Sequence, residues 1–422
     1  MDKALESRLT VFRILQSIIH EGKTSDDVFA RMSLEHFVVS DRQFIRLLVM
    51  TVLRHYGQIT QILSLFLSKP LPKKRRDIGL ILSMGVAQMV FLKTPAHATV
   101  DTAVKLVRLV KQEPFTRLVN GVLRQLDRQI QYLQIPSPIC NIPDWLRLSW
   151  EHAYGIAKTH LMADAVLKTP ALDITVKENP EKWAKLWNGC VLPTNSVRTD
   201  FDIGITQRTG FADGHWWVQE GAASIPVQLF PTLKGLRVAD ICSAPGGKTA
   251  QLIQYGAIVD AYDVSKYRLK RLMENMKRLQ FEKQVRILCC DGLNILPPTD
   301  GLYDAVLLDA PCSATGTIRR HPDLLFHRTQ KDIERLSELQ YQLLQHALTL
   351  LKPNGYLVYS TCSLQSEENE GVVVRVLEKM PHIERASIPE RFRHYCNEMG
   401  AIQTTPDMDL DGFYAVLLHK KG

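Results

Sequence analysis

Two cysteines, each placed just beyond an apolar run, are the residues of this 422-residue chain best suited to covalent chemistry. The run Ala305–Leu308 predicts a short buried strand, which leads into Asp309-Ala310-Pro311-Cys312-Ser313. A second strand-like run, 355–360, leads into Thr361-Cys362-Ser363. Proline cannot continue a strand's hydrogen-bond ladder, so the first strand should end before Cys312. Two strand ends that each carry a thiol predict a single site.

The chemistry that fits two thiols and a carboxylate is addition to a pyrimidine ring. A thiolate adds well to an electron-poor ring carbon when its surroundings lower its pKa. Cytosine attacked at carbon 6 becomes nucleophilic at carbon 5, which can then take a methyl group from a sulfonium donor. Asp309, three residues before Cys312, is the candidate acid for ring nitrogen 3. Such a base must be single-stranded or flipped out of its stack.

A glycine-containing loop, Cys242-Ser243-Ala244-Pro245-Gly246-Gly247-Lys248, joins a predicted strand to a predicted helix. Paired glycines let a ligand approach the backbone, and a helix N-terminus offers free N–H groups. An ATP-binding P-loop is the alternative, but it needs a glycine where this chain has Cys242. Asp263 and Asp291 end the next two predicted strands, which suits the ribose and adenine of an adenosine ligand. For each aspartate alone, the alternative is a helix cap.

The elements that must position these residues alternate from Arg237 onward between strand and helix. This alternation predicts an α/β fold with a doubly wound parallel sheet, whose ligands bind beyond the carboxyl ends of the strands. The predicted strands are Val238–Cys242, Ile258–Asp263, Val285–Cys290, Ala305–Asp309, Tyr356–Thr361 and Phe413–Leu418. The predicted helices are Lys248–Tyr255, Lys266–Leu279, Asp332–Leu351 and Glu367–Met380. Cys289 and Cys290 fall within or at the end of a strand and are expected to be core filler.

The rest of the chain predicts two further domains. Residues 1–134 carry apolar side chains at helical spacing between proline-containing turns, which indicates an all-helical bundle. Residues 135–145 contain several prolines and predict a linker. Residues 145–230 mix short helices with strand-like pieces and predict a small α+β domain. We therefore expect three domains: 1–134, 145–230 and 231–422.

Composition narrows the class of protein. The net charge is +8, but residues 1–150 hold 21 basic and 12 acidic residues while the remainder holds 31 and 32. This asymmetry favours a polyanion-binding module joined to a near-neutral one, although a solvated basic surface is the alternative. No apolar run is long enough to span a membrane, and the N-terminus is charged where a signal peptide is apolar, so we expect a cytoplasmic protein. Eight cysteines without a CxxC pair argue against disulfides and zinc, and no metal is expected.

Taken together, these motifs resemble the RNA cytosine-5 methyltransferases. The two cysteine motifs are similar to that family's signature pair, and residues 242–248 resemble its S-adenosylmethionine loop. Arg319-Arg320-His321-Pro322-Asp323 and Asp411-Gly412-Phe413-Tyr414 are similar to the bacterial Sun/RsmB (Fmu) branch, which modifies 16S ribosomal RNA. Ser40-Asp41-Arg42 and Leu118-Val119-Asn120-Gly121-Val122-Leu123-Arg124 resemble the signatures of a NusB-like domain, a helical RNA binder. The resemblance covers essentially the whole chain.

The resemblance implies a class I, Rossmann-like methyltransferase that uses S-adenosyl-L-methionine to methylate carbon 5 of a cytosine in 16S rRNA. It implies that Cys362 is the nucleophile, that Cys312 assists product release, and that Asp309 faces both cofactor and base. The implied cofactor contacts are Cys242, Ser243, Ala244, Pro245, Gly246, Gly247 and Lys248 for the methionine end, Asp263 for the ribose, Asp291 for the adenine, and Asp309. The segment 219–224 departs from the family pattern, because Glu220 stands where an aspartate is usual.

Other functions remain alternatives at this point. A tRNA cytosine-5 methyltransferase would keep the same chemistry with another substrate. A non-catalytic RNA-binding assembly factor would keep the fold alone, but the intact Cys312, Cys362, Asp309 and Gly246-Gly247 weigh against it. The expected partner is 16S rRNA, with no membrane, and the expected state is a monomer.

Overall fold

The computed structural model describes residues 2–200, 204–299 and 301–422, which form two compact units. The helical unit runs to Lys168 and also includes Ile318–Arg328, whereas the sheet unit comprises Thr169–Thr317 and Thr329–Gly422. Residues 145–168 therefore belong with the helices, not with the small α+β domain that the sequence suggested for 145–230. The three-domain division itself stays a prediction.

The helical unit packs amphipathic helices around one apolar core. In α7, for example, Val119, Val122, Leu123 and Leu126 recur at helical spacing and are all buried. The helices are α1 (Lys3–Leu15), α2 (Ser25–Arg31), α3 (Val39–Arg54), α4 (Tyr56–Phe66), α5 (Arg76–Val86), α6 (Ala96–Leu109), α7 (Thr116–Gln129), α8 (Asp144–Tyr154) and α9 (Ile156–Leu167). The predicted all-helical N-terminal region is confirmed.

The proline-containing segment 135–145, predicted as a linker, packs closely against α4. The Asn141 side chain accepts a hydrogen bond from the Gln58 backbone N–H at 2.9 Å and donates to the Gln58 side chain at 3.1 Å. A Cβ on Gly57 would lie 2.0 Å from the Cys140 carbonyl oxygen, so only glycine permits this approach. The segment is thus an ordered part of the helical unit.

The sheet unit contains two sheets. Its strands are β1 (Leu172–Val176), β2 (Cys190–Val191), β3 (Val197–Thr199), β4 (Trp216–Val218), β5 (Arg237–Ile241), β6 (Ile258–Asp263), β7 (Val285–Cys289), β8 (Tyr303–Asp309), β9 (Leu351–Thr361), β10 (Ile383–Arg385), β11 (Ile402–Thr404) and β12 (Phe413–Lys420). Its helices are α10 (Pro180–Leu186), α11 (Gly247–Gln254), α12 (Lys266–Arg278), α14 (Gln330–Thr349) and α15 (Glu370–Lys379), whereas the short α13 (Leu324–His327) falls in the helical unit.

The large sheet has the order β10-β12-β9-β8-β5-β6-β7, with β11 paired to β12. Strands β5 to β9 are parallel, as predicted, but β12 runs antiparallel to β9. The chain proceeds outward from β5 through β6 to β7 and then crosses back to β8. A doubly wound sheet binds its ligand at such a reversal, beyond the carboxyl ends of the central strands. The small sheet is antiparallel, with the order β2-β3-β1-β4.

The segment 318–328 leaves the sheet unit between β8 and α14 and packs within the helical unit. The buried Asp323 carboxylate accepts hydrogen bonds from the Ser25 backbone N–H at 3.0 Å and the Ser25 hydroxyl at 2.7 Å. Arg54 donates to the Arg319 carbonyl oxygen at 2.9 Å. The Phe326 ring meets Tyr56 edge-on, with 5.0 Å between ring centroids. The Arg-Arg-His-Pro-Asp motif therefore anchors this segment to the helices.

Replacing Asp323 with alanine should release this segment. The buried Ser25 donors would lose their acceptor, at a cost of about 1–3 kcal/mol. We expect trypsin to cleave within 318–328 on the order of ten-fold faster, since 1.4 kcal/mol corresponds to a factor of ten in an opening equilibrium. Limited proteolysis with mass mapping of the fragments tests this. The matched control is Asp27→Ala, an exposed aspartate in the same helix as Ser25, and equal cleavage rates in the two variants would contradict the prediction.

Candidate active site

The pairing of β8 with β9 brings the two predicted cysteines together. The parallel register sets Asp309 opposite Ser360, so Cys312 and Cys362 leave adjacent strands at nearly the same level. Their sulfur atoms lie 3.4 Å apart, within hydrogen-bond distance. Fifty residues of sequence separate the two thiols, and the sheet makes them neighbours.

A cavity of about 380 Å³ opens beside the two thiols. Its lining includes Cys242, Asp263, Asp291, Asp309, Cys312 and Cys362, which gathers every predicted carboxylate and both predicted thiols. Apolar walls come from Val264, Leu339 and Leu343. A volume of this size, with apolar walls and a few convergent polar groups, is typical of a small-molecule or cofactor site. A second cavity, of about 480 Å³ beside the small sheet, holds none of the predicted residues.

The glycine loop turns the chain from β5 into α11. Gly246 adopts φ 101°, a left-handed conformation, and a Cβ there would lie 2.9 Å from Leu272. Of residues 242–248, only Cys242 lines the cavity directly, and burial raises its pKa to about 12 with help from nearby carboxylates. Ser243 through Gly246 form the turn itself, Gly247 begins α11, and Lys248 points its ammonium group at Asp309.

The two other aspartates predicted to bind the cofactor differ in their surroundings. The buried Asp263 carboxylate accepts from the backbone N–H groups of Ala244 at 3.3 Å and Ser265 at 2.9 Å, and Arg268 lies 3.5 Å away. Asp291 caps a short 3₁₀ helix by accepting from the Leu293 N–H at 3.0 Å, as the alternative interpretation held, yet it also lines the cavity. A carboxylate has about four acceptor positions, so both can still receive hydroxyl or amino groups of an adenosine ligand. The two carboxylates therefore fit the ribose hydroxyls and the adenine amino group of S-adenosylmethionine.

Asp309 is fixed from both sides. Its Oδ2 atom lies 2.9 Å from the Lys248 ammonium nitrogen, and its Oδ1 atom accepts a hydrogen bond from the Ser360 hydroxyl at 3.0 Å. The ammonium group also lies over the Phe413 ring, 4.9 Å from its centroid. The carboxylate is thus held at the cavity wall between the glycine loop and the two thiols.

Three of the thiols that line the cavity have raised pKa values. Besides the two predicted cysteines and Cys242, the cavity wall includes Cys290, which the sequence suggested was core filler. Burial raises the pKa of Cys290. The pKa of Cys312 is raised well above its usual range by its hydrogen bond with Cys362, by burial, and by the Cys362 and Glu368 charges. These raised values disfavour Cys242, Cys290 and Cys312 as nucleophiles.

Glu368 also belongs to the site, although no sequence motif pointed to it. It is fully buried and accepts hydrogen bonds from the Ser313 backbone N–H at 2.8 Å and the Gln340 amide at 2.9 Å. The hydroxyls of Ser313 and Ser363 also donate to it. The sequence did contain one signal for such a residue, because a serine follows each cysteine, Ser313 and Ser363. Two buried hydroxyls at neighbouring strand ends need a hydrogen-bond acceptor, which a nearby carboxylate can supply.

The departure at Glu220 has a structural explanation. One carboxylate oxygen accepts from the N–H groups of Ala222 at 2.7 Å and Ala223 at 3.1 Å, while the other accepts from the Asp411 N–H at 2.8 Å. Glu220 therefore joins segment 219–224 to the chain that enters β12. Ala222, Leu410 and Phe413 form a small apolar cluster there, against which Cys362 packs.

The described residues contain neither a candidate metal site nor a helix that could span a membrane. Residues 2–200, 204–299 and 301–422 contain no group of three or more His, Cys, Asp or Glu side chains arranged to hold a metal ion. Over the same part of the chain, every helix is too short or too polar to cross a membrane.

The sheet order and the cavity at its reversal point define a doubly wound, Rossmann-like methyltransferase domain. The chain belongs to the 16S rRNA methyltransferase RsmB/F family, whose model matches residues 228–419, and the NusB family model matches residues 5–128. The ribosomal RNA small subunit methyltransferase B of Xanthomonas campestris is 31% identical over 98% of this chain and 97% of its own length.

Two solved structures share the fold. The crystal structure of PH0851 superposes with a TM-score of 0.76 and 23% identity over 98% of both chains. A methyltransferase homologue from Pyrococcus horikoshii gives a TM-score of 0.55 and 27% identity, covering 70% of this chain and 99% of that one. The family membership confirms an S-adenosylmethionine-dependent rRNA methyltransferase with a NusB-like N-terminal region.

Below the glycine loop, Asp240 of β5 is a buried acid without a cation partner. Its Oδ2 atom accepts a hydrogen bond from the Thr249 hydroxyl at 2.6 Å, and its Oδ1 atom has no hydrogen-bond partner among the described residues. Burial raises its pKa to about 7, further helped by the Asp309 and Asp263 charges. Because the folded state favours the protonated form, folding stability should fall as pH rises from about 3.8 to about 7.

Replacing Asp240 with asparagine should flatten this pH dependence. Between about pH 5 and pH 8 the wild-type sheet unit should lose on the order of 2–3 kcal/mol more stability than Asp240→Asn. Thermal melts of both proteins across that range measure the difference. The exposed Asp407→Asn serves as the control, with a wild-type profile expected. Parallel melting curves for wild type and Asp240→Asn would contradict the assignment.

Proposed function

We propose that this rRNA methyltransferase methylates carbon 5 of a cytosine in 16S rRNA through a covalent bond between Cys362 and ring carbon 6. The observation that carries the proposal is the pair of thiols 3.4 Å apart at neighbouring strand ends, in one cavity with Asp309. Two adjacent thiols suit a reaction in which one makes a bond that must later be broken. The family's substrate class, small-subunit rRNA, supplies the RNA.

The chain's own residues have separate tasks in this mechanism. When bound, S-adenosylmethionine supplies an electrophilic methyl group on a sulfonium sulfur. Residues 242–248, Asp263 and Asp291 hold it, as the resemblance implies. The Cys362 sulfur adds to carbon 6, and the ring's electron pair moves toward carbon 5 and nitrogen 3. Asp309, held by Lys248 and Ser360, is the candidate acid for nitrogen 3: in its protonated form it donates a hydrogen bond there and stabilises that charge.

Product release reverses the first bond. After carbon 5 has gained its methyl group and lost its hydrogen as a proton, the Cys362–carbon 6 bond breaks and the ring regains its double bond. Cys312 is the group that assists this step. Its raised pKa keeps it a thiol in the resting enzyme, so it does not compete with Cys362 for the base.

RNA recognition is proposed to begin in the N-terminal region. Residues 1–134 match the NusB family over 5–128 and fall in the part of the chain where basic residues exceed acidic ones. A basic helical surface supplies phosphate contacts that position the RNA. The cytoplasmic location, the monomeric state and the three-domain division stay predictions.

The two cysteine variants should fail in different ways. With labelled S-adenosylmethionine and unmodified 16S rRNA, Cys362→Ala should incorporate no label, because the bond to carbon 6 cannot form. Cys312→Ala should accumulate a covalent protein–RNA adduct, seen as a band shift that survives denaturation, because release is impaired.

Cys396→Ala is the control, since this cysteine lies outside the cavity. Wild-type labelling by Cys362→Ala would refute the nucleophile assignment. Label that enters tRNA but not rRNA would support the tRNA alternative, and no label in either RNA would support a non-catalytic factor.

A further inference from the structure

Glu368 is a buried carboxylate without a cationic partner. Its residue is 0% exposed, and among the described residues no lysine, arginine or histidine forms an ion pair with it. Four neutral donors surround it instead: the Ser313 N–H, the Ser313 and Ser363 hydroxyls, and the Gln340 amide. A carboxylate has about four acceptor positions, and the four donors occupy them, which offsets the cost of burying the group without a cation.

The donors tie Glu368 to both thiols. Ser313 directly follows Cys312, and Ser363 directly follows Cys362, so one carboxylate binds the residue after each cysteine. The two serine hydroxyls themselves lie 3.1 Å apart. The Glu368 carbonyl oxygen also accepts a hydrogen bond from Tyr359 of β9, which fixes the segment that carries the carboxylate. Removing Glu368 would leave both loops without their common acceptor.

The charge of Glu368 also acts on the thiols. The pKa of Cys312 is raised chiefly by its hydrogen bond with Cys362 and by burial, and the Glu368 charge adds to this rise. A thiolate on Cys312 would stand beside a buried carboxylate, where like charges repel. The other titratable groups near Cys312 include Cys362, Asp309 and the buried Tyr359, whose own pKa is raised well above its usual range by burial. The cations at the cavity, Lys248 and Arg268, are paired with Asp309 and Asp263.

We propose that Glu368 is a positioning residue of the methyl transfer, which clamps the two cysteine loops together and keeps the shared proton on Cys312. Cys362 is then the thiol free to become the nucleophile. The proposal rests on the proposed function, because it assigns the proton between the two thiols of that mechanism. A purely structural role would require only the shape and hydrogen bonds of Glu368. The proposed role also requires its negative charge.

The experiment compares Glu368→Gln, which removes the charge, with Glu368→Asp, which keeps the charge on a shorter side chain. The matched control is Glu367→Gln, the same change at the adjacent exposed glutamate. Single-turnover methylation of 16S rRNA should slow by on the order of 10²-fold in Glu368→Gln and in Glu368→Asp, the loss expected for a misplacement of about 1 Å. The affinity for S-adenosylmethionine should equal that of the control.

A second measurement isolates the charge. In a Cys362→Ala background, the pH dependence of iodoacetamide modification at Cys312 is followed by peptide mass. Adding Glu368→Gln should move the profile to lower pH, whereas adding Glu368→Asp or Glu367→Gln should leave it in place. If Glu368 contributed to folding alone, Glu368→Gln would not shift the pH profile of Cys312 modification to lower pH.

Two results would overturn the proposal: control-level methylation by Glu368→Gln, or an unchanged Cys312 profile in that variant. If Glu368→Gln does not fold, control-level methylation by Glu368→Asp overturns it. Normal methylation by Cys362→Ala would instead refute the proposed function, so the two failures are distinct.

A different observation concerns the exposed face of α12. The helix contains six Lys and Arg residues and one acid, Glu274. Arg268 and Arg278 are engaged with backbone carbonyls of the sheet unit. The other four cations are exposed and form no ion pair within the described ranges of the chain: Lys266, Lys270, Arg271 and Lys277.

The geometry of α12 aligns three of its lysines on one side of the helix. Lys266, Lys270 and Lys277 are separated by four and seven positions, which places them within about 40° on one side of a helix and over about 16 Å of its length. Val264, just before the helix, and Arg268, in its first turn, line the cavity. Val264 and Tyr267 are 69% and 72% exposed.

We infer that this face binds the ribose–phosphate backbone of the RNA strand that flanks the target base. Its charge is complementary to phosphate, its four exposed cations form no ion pair among the described residues, and it begins beside Val264 and Arg268, which line the cavity that also contains the two thiols. Exposed Tyr267 can stack on a neighbouring base. The inference rests on the assignment of the cavity as the site of the target base.

The test replaces Lys266, Lys270 and Lys277 together with glutamine and compares Lys185, Lys234 and Lys331 replaced likewise, which are exposed lysines elsewhere in the sheet unit. Affinity for 16S rRNA is measured against salt concentration. The α12 variant should lower the slope of log affinity against log salt by about 2–3, since each phosphate contact contributes about 0.7–0.9. Equal slopes in the two variants would overturn the inference, even if methylation itself is normal.

Discussion

The parallel pairing of β8 with β9 is the constraint on which the site depends. Because Asp309 lies opposite Ser360, the residues that follow each strand end are forced to the same edge of the sheet. The next strand inward, β5, brings the glycine loop to that edge, and Lys248 then reaches Asp309 at 2.9 Å. Groups from three distant stretches of sequence therefore meet without any long loop. A one-residue slip of β9 would turn Ser360 and Cys362 to the other face.

The buried carboxylates of the sheet unit fall into two kinds. Asp173 pairs with Arg198 at 2.7 Å, and Asp260 contacts Arg286 at 2.8 Å, so their charges are compensated. Asp240 and Glu368 form no ion pair among the described residues, and each lies next to the glycine loop or the cysteine loops. Burial raises the pKa of Asp240, neutral hydrogen-bond donors hold Glu368, and both carboxyl groups lie near the one cavity. Buried carboxyl groups without a cation are candidates for functional roles.

Much of this architecture was predictable from the sequence. The strands from β5 to β9 and the helices between them were predictable because a buried parallel strand is a short apolar run and an amphipathic helix has a regular period. The sequence also placed Cys312, Cys362, Asp309 and Asp263 at the carboxyl ends of strands, because each lies at or just after the end of a short apolar run. The antiparallel direction of β12 was not predictable, since its apolar pattern is the same in either direction. The ordered packing of residues 135–145 was also missed, because it depends on contacts with α4 that lie far away in sequence.

Sequence reasoning missed some residues for a physical reason. Either their interaction partners are far away in the chain, or they form a local cluster that the average composition conceals. Three of the four hydrogen bonds to Glu368 come from residues 28 and 55 positions away, so no short motif contains the whole interaction. The charge balance of residues 151–422 is close to neutral, which hid the concentration of lysines on α12. Glu220 was noticed as a departure, but its meaning required Asp411, 191 positions later. A motif identifies the groups that react, whereas the groups that hold them in place are determined by the sheet and become visible only in three dimensions.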